Sequence, residues 1–215
     1  MIKLMIFDLD GTLLNSLDDL ADSTNHILAK HSLPTHPLDS FRYFVGNGQR
    51  KLVERALPAE KRTPEYIEDF FRELVAYYGL HSQDKTRPYP CVIECLEQLQ
   101  EKGVGIAVAS NKVNAVMQKM MPHYFPMIHF ACLLGQREGI PAKPHPQIIF
   151  DIMEQVKVAK EEVLYVGDTG VDMDTAHNAG LRAAGVLWGY RDRQELEEHG
   201  AEFIIDKPAD LLNLL

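Results

Sequence analysis

The sequence predicts an α/β fold, a doubly wound parallel sheet that is interrupted after its first strand by an inserted α-helical domain. Three observations support this prediction. Short apolar runs alternate with amphipathic segments over residues 91–205, as is typical of βαβ units. Another apolar run, residues 2–8, begins the chain and ends in acids and Gly. The residues between these two regions show helical patterns only.

In the first part of the chain, residues 2–8 form the predicted first strand, because a short continuous apolar run is typical of a strand buried on both faces. Ser16 is predicted to cap a helix that ends near Lys30. Pro58 and Pro64 interrupt the helical pattern that follows. This segment is expected to contain three more helices, at residues 38–45, 49–57 and 64–78.

In the second part of the chain, the polar stretch QDKTRPYP is a predicted linker to the alternating region. Beyond it we expect helices at residues 91–102, 111–121, 147–156 and 172–179. Strands are expected at residues 105–109, 128–133, 163–166, 183–186 and 203–205. The sheet core is therefore predicted to consist of residues 1–15 and 83–215, with residues 16–82 as the helical domain.

The composition and net charge limit the kinds of molecule that the protein is expected to bind. The 215 residues are 46% hydrophobic and 25% charged, an ordinary balance for a globular domain with an insertion. The formal net charge of −9 disfavours nucleic acid and anionic membranes as partners. It permits a small phosphorylated metabolite, because a metal or a lysine reverses the field locally. No apolar run approaches the length of a membrane-spanning helix, and no signal peptide is recognisable. Three cysteines without CxxC spacing indicate reduced thiols, so we expect a cytoplasmic protein.

Polar side chains follow several of the predicted strands. The carboxyl ends of parallel strands meet at one edge of a doubly wound sheet, where ligands bind. The polar residues expected at this edge are Asp8, Asp10, Thr12, Ser110, Asn111, Lys112, Lys143, Asp168 and Asp172. Each segment alone is also compatible with a turn or a helix cap. Their occurrence together at one edge favours a site for a metal and a phosphate.

Three of the acids have the arrangement that phosphoryl transfer needs. Mg²⁺ prefers carboxylate oxygens, which Asp8 and Asp168 can supply from neighbouring strands. The Asp8 carboxylate can attack phosphorus and form an aspartyl-phosphate, which divides one difficult transfer into two easier steps. Asp10, two residues away, can protonate the leaving oxygen and later deprotonate a water.

The remaining polar residues are predicted to hold the phosphate. Ser110 and Lys143 are expected to bind phosphoryl oxygens and to neutralise their charge, since this chemistry depends on positioning and electrostatics. Thr12 and Asn111 complete the predicted phosphate-binding set. Asp172 is expected to orient Lys143 or a metal-bound water.

FDLDGTL, ASNK, AKPHP and GDTGVD, in this order and at this spacing, resemble the four motifs of the haloacid dehalogenase superfamily of aspartate-nucleophile hydrolases. The resemblance covers nearly the whole chain. It implies a Rossmann-like core, a small α-helical cap domain, an obligate Mg²⁺, Asp8 as nucleophile and Asp10 as acid and base. It also implies that the backbone carbonyl of Asp10 binds the metal together with Asp8 and Asp168. Members that dehalogenate carbon substrates lack the second Asp of the first motif, so Asp10 favours phosphate transfer.

Three further stretches resemble phosphoglycolate phosphatases: VGNGQRKLVERAL, RPYPCV and GVLWGYRDRQELEEHGAEFIIDKPADLL. Asn15 and Cys91 depart from that pattern, in which Asp and Gly are usual. The resemblance implies a phosphatase of small phosphomonoesters, with 2-phosphoglycolate as the first candidate substrate. The alternatives are a pyrophosphatase, a sugar-phosphate or nucleotide phosphatase, a β-phosphoglucomutase-like phosphomutase and a non-catalytic binding protein. The protein is expected to be a monomer or a homodimer.

The inserted helices are expected to close over the site and to contact the leaving group. Gly46-Asn47-Gly48 is the predicted tip, because its glycines allow a close backbone approach and Asn47 can hydrogen-bond a small polar group. Arg50, one turn later, is the predicted partner of a substrate carboxylate. A helix-to-helix turn at residues 46–48 and a solvated Arg50 are the alternative interpretations.

Overall fold

The computed structural model describes residues 1–215 and confirms the predicted Rossmann-like α/β fold. The strands are β1 (Leu4–Phe7), β2 (Leu14–Asn15), β3 (Arg87–Pro88), β4 (Gly105–Val113), β5 (Phe130–Gln136), β6 (Val163–Gly167), β7 (Arg182–Val186) and β8 (Phe203–Ile205). Six of them form one parallel sheet in the order β5-β4-β1-β6-β7-β8. β2 and β3 pair antiparallel in a separate short ribbon.

Nine α-helices cover the sheet and form the insertion. They are α1 (Leu17–Lys30), α2 (Leu38–Phe44), α3 (Gln49–Ala56), α4 (Pro64–His81), α5 (Val92–Glu101), α6 (Asn114–Tyr124), α7 (Gln147–Val156), α8 (Gly170–Ala179) and α9 (Arg193–Glu198). None of them combines the length and the apolar character that a membrane crossing requires.

The central strand β1 is buried on both faces, which explains why its sequence is a continuous apolar run. Side chains alternate along a strand, so Met5 and Phe7 join one hydrophobic core whereas Leu4 and Ile6 join another on the opposite face. The polar residues that follow the strand are thereby placed at the carboxyl edge of the sheet.

The insertion, α1–α4, shares the larger hydrophobic core with the sheet, through residues that include Phe41, Leu52 and Phe70. Within it, α1 and α3 both pack against α4. The chain passes from the sheet to the insertion at β2 and returns at β3. These two connecting segments lie side by side because β2 and β3 pair in the antiparallel ribbon. The predicted domain boundaries, at residues 15/16 and 82/83, lie near these connecting segments and stay a prediction.

The structure corrects one predicted element beside the site. The helix expected at residues 111–121 begins at Asn114, because β4 continues through residues 110–113. The reason lies in long-range contacts: the extended backbone allows Asn111 and Lys112 to hydrogen-bond partners in other loops at the sheet edge.

Candidate active site

The turn after β1 brings Asp8 and Asp10 to the carboxyl edge of the sheet. Asp8 follows the strand directly and is buried. Gly11 has a φ of +98°, and a Cβ at this position would lie 2.2 Å from Oδ2 of Asp168. Only glycine permits this approach, so the turn after β1 packs directly against the loop after β6.

The ammonium group of Lys143 is the centre of a buried polar network. It donates to Oδ1 of Asp8 and to Oδ1 of Asp172, both at 2.7 Å. The Tyr165 hydroxyl at 2.9 Å and the Ala109 carbonyl at 3.0 Å are also within hydrogen-bonding distance, so four acceptors share its three N–H donors. Burial disfavours the ammonium charge, but Asp172 and Asp8 outweigh it and raise the pKa of Lys143 well above its usual value. Lys143 is therefore a fixed positive charge beside Asp8.

Three buried carboxylates, those of Asp8, Asp168 and Asp172, have oxygen atoms within 4.8 Å of one another. Burial raises the pKa of Asp8 to about 7, although Lys143 acts to lower it. Burial and the charges of Asp172 and Asp8 raise the pKa of Asp168 well above its usual value. If all three acids are ionised, Lys143 leaves two negative charges uncompensated, which one divalent cation balances. An all-oxygen donor set suits Mg²⁺, so these residues fit that ion.

The two acids that follow β6 have different hydrogen-bond partners. Asp172 accepts from the Thr169 backbone N–H at 3.1 Å and hydroxyl at 2.7 Å through Oδ2, while its Oδ1 accepts from Lys143. Asp168 accepts from the Thr12 hydroxyl at 2.9 Å and from a backbone N–H of the loop after β7 at 2.8 Å. Asp172 thus positions Lys143, and the Thr12 hydroxyl orients Asp168. The phosphate contact expected of Thr12 stays a prediction.

The carboxylate of Asp10 accepts two hydrogen bonds, and one of the two donors, a lysine, also contacts the insertion. Its Oδ1 accepts from the Ser16 hydroxyl and from the Lys112 ammonium, the latter at 2.8 Å. Lys112 is buried and also donates to the hydroxyl of Tyr78, in α4, at 2.6 Å. Ser16, expected to cap α1, makes no side-chain cap bond, because its hydroxyl binds Asp10.

Asn111 connects the core to the tip of the insertion. Its Oδ1 accepts from the backbone N–H of Lys143 at 2.9 Å, and its Nδ2 donates to the carbonyl of the same residue at 3.1 Å. Nδ2 also donates to the carbonyl of Gly46 at 3.0 Å. The amide therefore positions the loop that contains Lys143. The phosphate contact expected of Asn111 stays a prediction.

A small cavity lies between the insertion and the sheet edge. Its core side is formed by Asp8, Asp10, Ser110, Asn111 and Lys112. The insertion adds apolar side chains from α1 and α3 and the backbone of its glycine-rich tip. About 30 Å³ is open to the centre of a water molecule, which is room for about two waters.

Two side chains of the insertion that were expected at the site lie outside this cavity. Asn47 is at the tip, but its Oδ1 accepts from the Arg55 guanidinium at 2.7 Å. Arg50 lies on the exposed side of α3, where it forms an ion pair with Glu68. The structure thus brings the tip backbone to the site and leaves the side chains of Asn47 and Arg50 away from it.

Sequence reasoning assigned no function to two residues that line the cavity, Lys112 and Gln49. The signal for Lys112 is present: it is a basic residue two positions after Ser110, at the predicted sheet edge. Gln49 gives no comparable signal, because glutamine is common on exposed helix faces.

Comparison with known proteins identifies the family. The sequence model of a protein family described as haloacid dehalogenase-like hydrolase matches residues 5–186. A phosphoglycolate phosphatase of Haemophilus influenzae is 36% identical over 219 residues, which cover 99% of this chain and 98% of that protein. A phosphoglycolate phosphatase of Aquifex aeolicus is 31% identical over 214 residues, covering 100% of this chain and 97% of that protein. The crystal structure of a predicted phosphoglycolate phosphatase from Haemophilus somnus has a TM-score of 0.90 at 33% identity, covering 99% of this chain and 97% of that chain. Since the family match extends from β1 to β7 and these relatives align over nearly their full length, the chain is a phosphatase of the haloacid dehalogenase-like hydrolase family.

Proposed function

We propose that this phosphatase hydrolyses 2-phosphoglycolate or a similarly small phosphomonoester, that it requires Mg²⁺, and that an aspartyl-phosphate forms at Asp8. One observation supports the proposal above all. The buried Asp8 carboxylate lies at the wall of the cavity, 2.7 Å from the Lys143 ammonium, and Asp10 lines the same wall. This arrangement combines a nucleophile, a positive charge and an acid–base group around one point.

The reaction has two steps in this proposal. In the first, the Asp8 carboxylate attacks phosphorus, the bond from phosphorus to the leaving-group oxygen breaks, and Asp10 donates a proton to that oxygen. In the second, Asp10 takes a proton from a water whose oxygen attacks phosphorus, and Asp8 is regenerated as inorganic phosphate leaves. Lys143 and Ser110 hold the phosphoryl oxygens in both steps.

Asp8 and Asp168 would hold the Mg²⁺, and the family resemblance adds the backbone carbonyl of Asp10. When bound, the cation neutralises phosphoryl charge, which favours attack by an anionic carboxylate. Asp172 supports this arrangement indirectly, because it holds Lys143 in place.

Two observations favour a small substrate. The relatives from Haemophilus influenzae and Aquifex aeolicus are named phosphoglycolate phosphatase. The insertion leaves only about 30 Å³ open to the centre of a water molecule, so a small leaving group requires the least displacement of the insertion.

Phosphate release from a panel of esters tests the proposal. The panel contains 2-phosphoglycolate, pyrophosphate, glucose 6-phosphate, AMP and p-nitrophenyl phosphate, each with Mg²⁺ and with excess EDTA. We expect 2-phosphoglycolate to have the highest kcat/KM and EDTA to abolish turnover, because the acid cluster then lacks its counter-charge. A preference for another ester would refute the proposed substrate alone. Release from no ester by folded protein would contradict the hydrolytic mechanism, and phosphate appearing on an added sugar phosphate would indicate a phosphomutase.

Gly189 provides a separate test of the metal site. A Cβ on this residue would lie 2.2 Å from Cβ of Asp168 and 2.5 Å from the carbonyl oxygen of Gly11. Replacing Gly189 with Ala is expected to displace Asp168, to destabilise the protein by about 1–3 kcal/mol and to raise the Mg²⁺ concentration that half-maximal activity requires. Urea unfolding and a Mg²⁺ titration measure these effects.

Gly79→Ala is the matched control. Gly79 is in α4, and a Cβ there has nothing within 4 Å. This variant is expected to keep the wild-type Mg²⁺ dependence and to be as stable as the wild type or slightly more so. An unchanged Mg²⁺ titration in a folded Gly189→Ala variant would contradict the assignment of Asp168 to the metal.

A further inference from the structure

We propose that Arg191 is a positioning residue that couples the place of the insertion to the proposed metal site at Asp168. Arg191 belongs to the loop after β7, which comprises residues 187–192. The inference rests on the proposed function in one respect, the assignment of Asp168 to the metal. Two sets of contacts support it: those of Arg191 with the insertion, and those of the same loop with the residues around Asp168.

The guanidinium of Arg191 lies between the insertion and α9, and its side chain is only 9% exposed. Nη1 donates to the Arg42 carbonyl, and Nη2 donates to the Val45 carbonyl at 3.0 Å. Nε pairs with Oε2 of Glu195, in α9, at 3.1 Å. Each nitrogen therefore has an acceptor, as a buried charge requires. Two of these acceptors belong to the insertion and the third belongs to the core.

The contact with the insertion completes the end of α2. The last carbonyl groups of a helix lack N–H partners within it, and arginine side chains can supply them. Arg55, from α3, donates to two carbonyls at this end, both at 3.0 Å. Arg191 supplies the carbonyls of Arg42 and of Val45, the residue that ends the helix. One end of an insertion helix thus depends on a side chain from the core.

These contacts fix the tip of the insertion, since Val45 and Gly46 line the cavity at the sheet edge. Only about 30 Å³ of that cavity is open to the centre of a water molecule, so the insertion has to move when an ester binds. The contacts that hold the tip therefore determine how easily the site opens. Arg191 holds it from the loop after β7, and Asn111 holds it from β4 through the Gly46 carbonyl.

The loop after β7 is also bonded to the residues around Asp168. The backbone N–H of Tyr190, which precedes Arg191, donates to Oδ2 of Asp168 at 2.8 Å. Glu195, the ion-pair partner of Arg191, accepts at 3.0 Å from the backbone N–H of Gly170, the first residue of α8. Arg191 therefore reaches the insertion from a loop that also holds Asp168 in place.

The shared loop makes the two events interdependent. When Asp168 is fixed by a bound cation, the loop that contains Tyr190 is fixed with it and presents Arg191 to the insertion. Coupling between binding events is reciprocal, so an insertion that is held in place also strengthens metal binding. Arg191 does not line the cavity. Its effect on the reaction is therefore indirect, through the loop and the tip.

Hydrogen exchange of the intact protein, in EDTA and in Mg²⁺, tests the coupling without turnover. In the wild type we expect Mg²⁺ to slow exchange at residues 167–173 and also at residues 42–48, the latter by about fivefold or more. In Arg191→Met, residues 42–48 should exchange faster than in the wild type and should respond to Mg²⁺ by less than about twofold. Residues 167–173 should still respond, and the Kd for Mg²⁺ from calorimetry should rise by about fivefold.

Two further variants support this test. Arg191→Gln keeps a polar side chain but loses the charge and some of the reach, so we expect a smaller change in the same direction. This variant decides the question if Arg191→Met does not fold. Arg193→Met is the control, because the Arg193 side chain is 51% exposed and pairs with Glu197 of the same helix. It should match the wild type in exchange and in Kd.

The outcomes distinguish the coupling from the proposed function. A wild-type response of residues 42–48 to Mg²⁺ in the Arg191 variants would overturn the coupling while the phosphatase activity stands. A wild type in which Mg²⁺ slows exchange at residues 167–173 but not at residues 42–48 would overturn it as well. If Mg²⁺ changed exchange at neither segment of the wild type, the proposed metal site would be wrong, and this inference with it.

Discussion

Replacing Asp8 with Asn is expected to reduce kcat for phosphate release by about 10⁴-fold or more, because an amide cannot form the aspartyl-phosphate. The same variant is expected to be more stable than the wild type at alkaline pH in EDTA. Burial raises the pKa of Asp8 to about 7, so the folded protein keeps a proton that the unfolded chain releases near about pH 4. Wild-type stability therefore decreases as the pH rises through this range, and the Asn variant lacks this contribution.

Phosphate release and urea unfolding in EDTA, at about pH 5 and about pH 8, measure both effects of the Asp8 substitution. Asp39→Asn is the control, because the Asp39 side chain is 94% exposed, and it should change neither quantity. Activity within about tenfold of the wild type, once mass spectrometry has excluded deamidation, would contradict Asp8 as the nucleophile.

Replacing Lys143 with Met is expected to reduce the free energy of unfolding by about 3–5 kcal/mol in the absence of metal, and to abolish detectable turnover. The side chain of Lys143 is 2% exposed and forms ion pairs with Asp8 and Asp172, so its loss leaves buried carboxylates without a counter-charge. Added Mg²⁺ should restore part of the stability, because it supplies positive charge to the same carboxylates, but it should not restore the activity.

Urea unfolding with and without Mg²⁺ measures the effect of the Lys143 substitution. Lys102→Met is the matched control, since Lys102 is exposed and forms no ion pair, and its stability should stay within about 0.5 kcal/mol of the wild type. If Lys143→Met unfolded at the same urea concentration as the wild type in EDTA, the ammonium would not be the counter-charge that stabilises the buried carboxylates.

The location of the site could be predicted from the sequence because it depends on topology. A run as apolar as β1 is typical of a central parallel strand, and parallel strands end at one edge. The segments that contain Asp8, Lys143 and Asp168 had to meet there, although they are far apart in the chain. The start of α6 could not be predicted in this way. Residues 110–113 stay extended because Asn111 and Lys112 bind partners in other loops, and no local pattern reports such contacts.

The sequence also could not predict which side chains of the insertion face the cavity. Gln49 and Arg50 are neighbours at the start of α3, and both are polar. Adjacent residues of a helix point about 100° apart, so only one of them can face the cavity. In the structure Gln49 is buried at the cavity, whereas Arg50 is exposed and pairs with Glu68 of α4.

The central position of β1 has a consequence for the synthesis of the chain. Leu4 pairs with Gly105 and with Val163, so the partners of this strand are translated about 100 and about 160 residues after it. The insertion helices α1–α4, by contrast, contact one another within a single continuous stretch. Contacts between distant residues form slowly, and an apolar strand without its neighbours is prone to aggregate. The strand that precedes Asp8 is translated before both of its neighbours and is completed only when β6 has left the ribosome. Asp8, the proposed nucleophile, therefore reaches its final surroundings only after most of the sheet has been made.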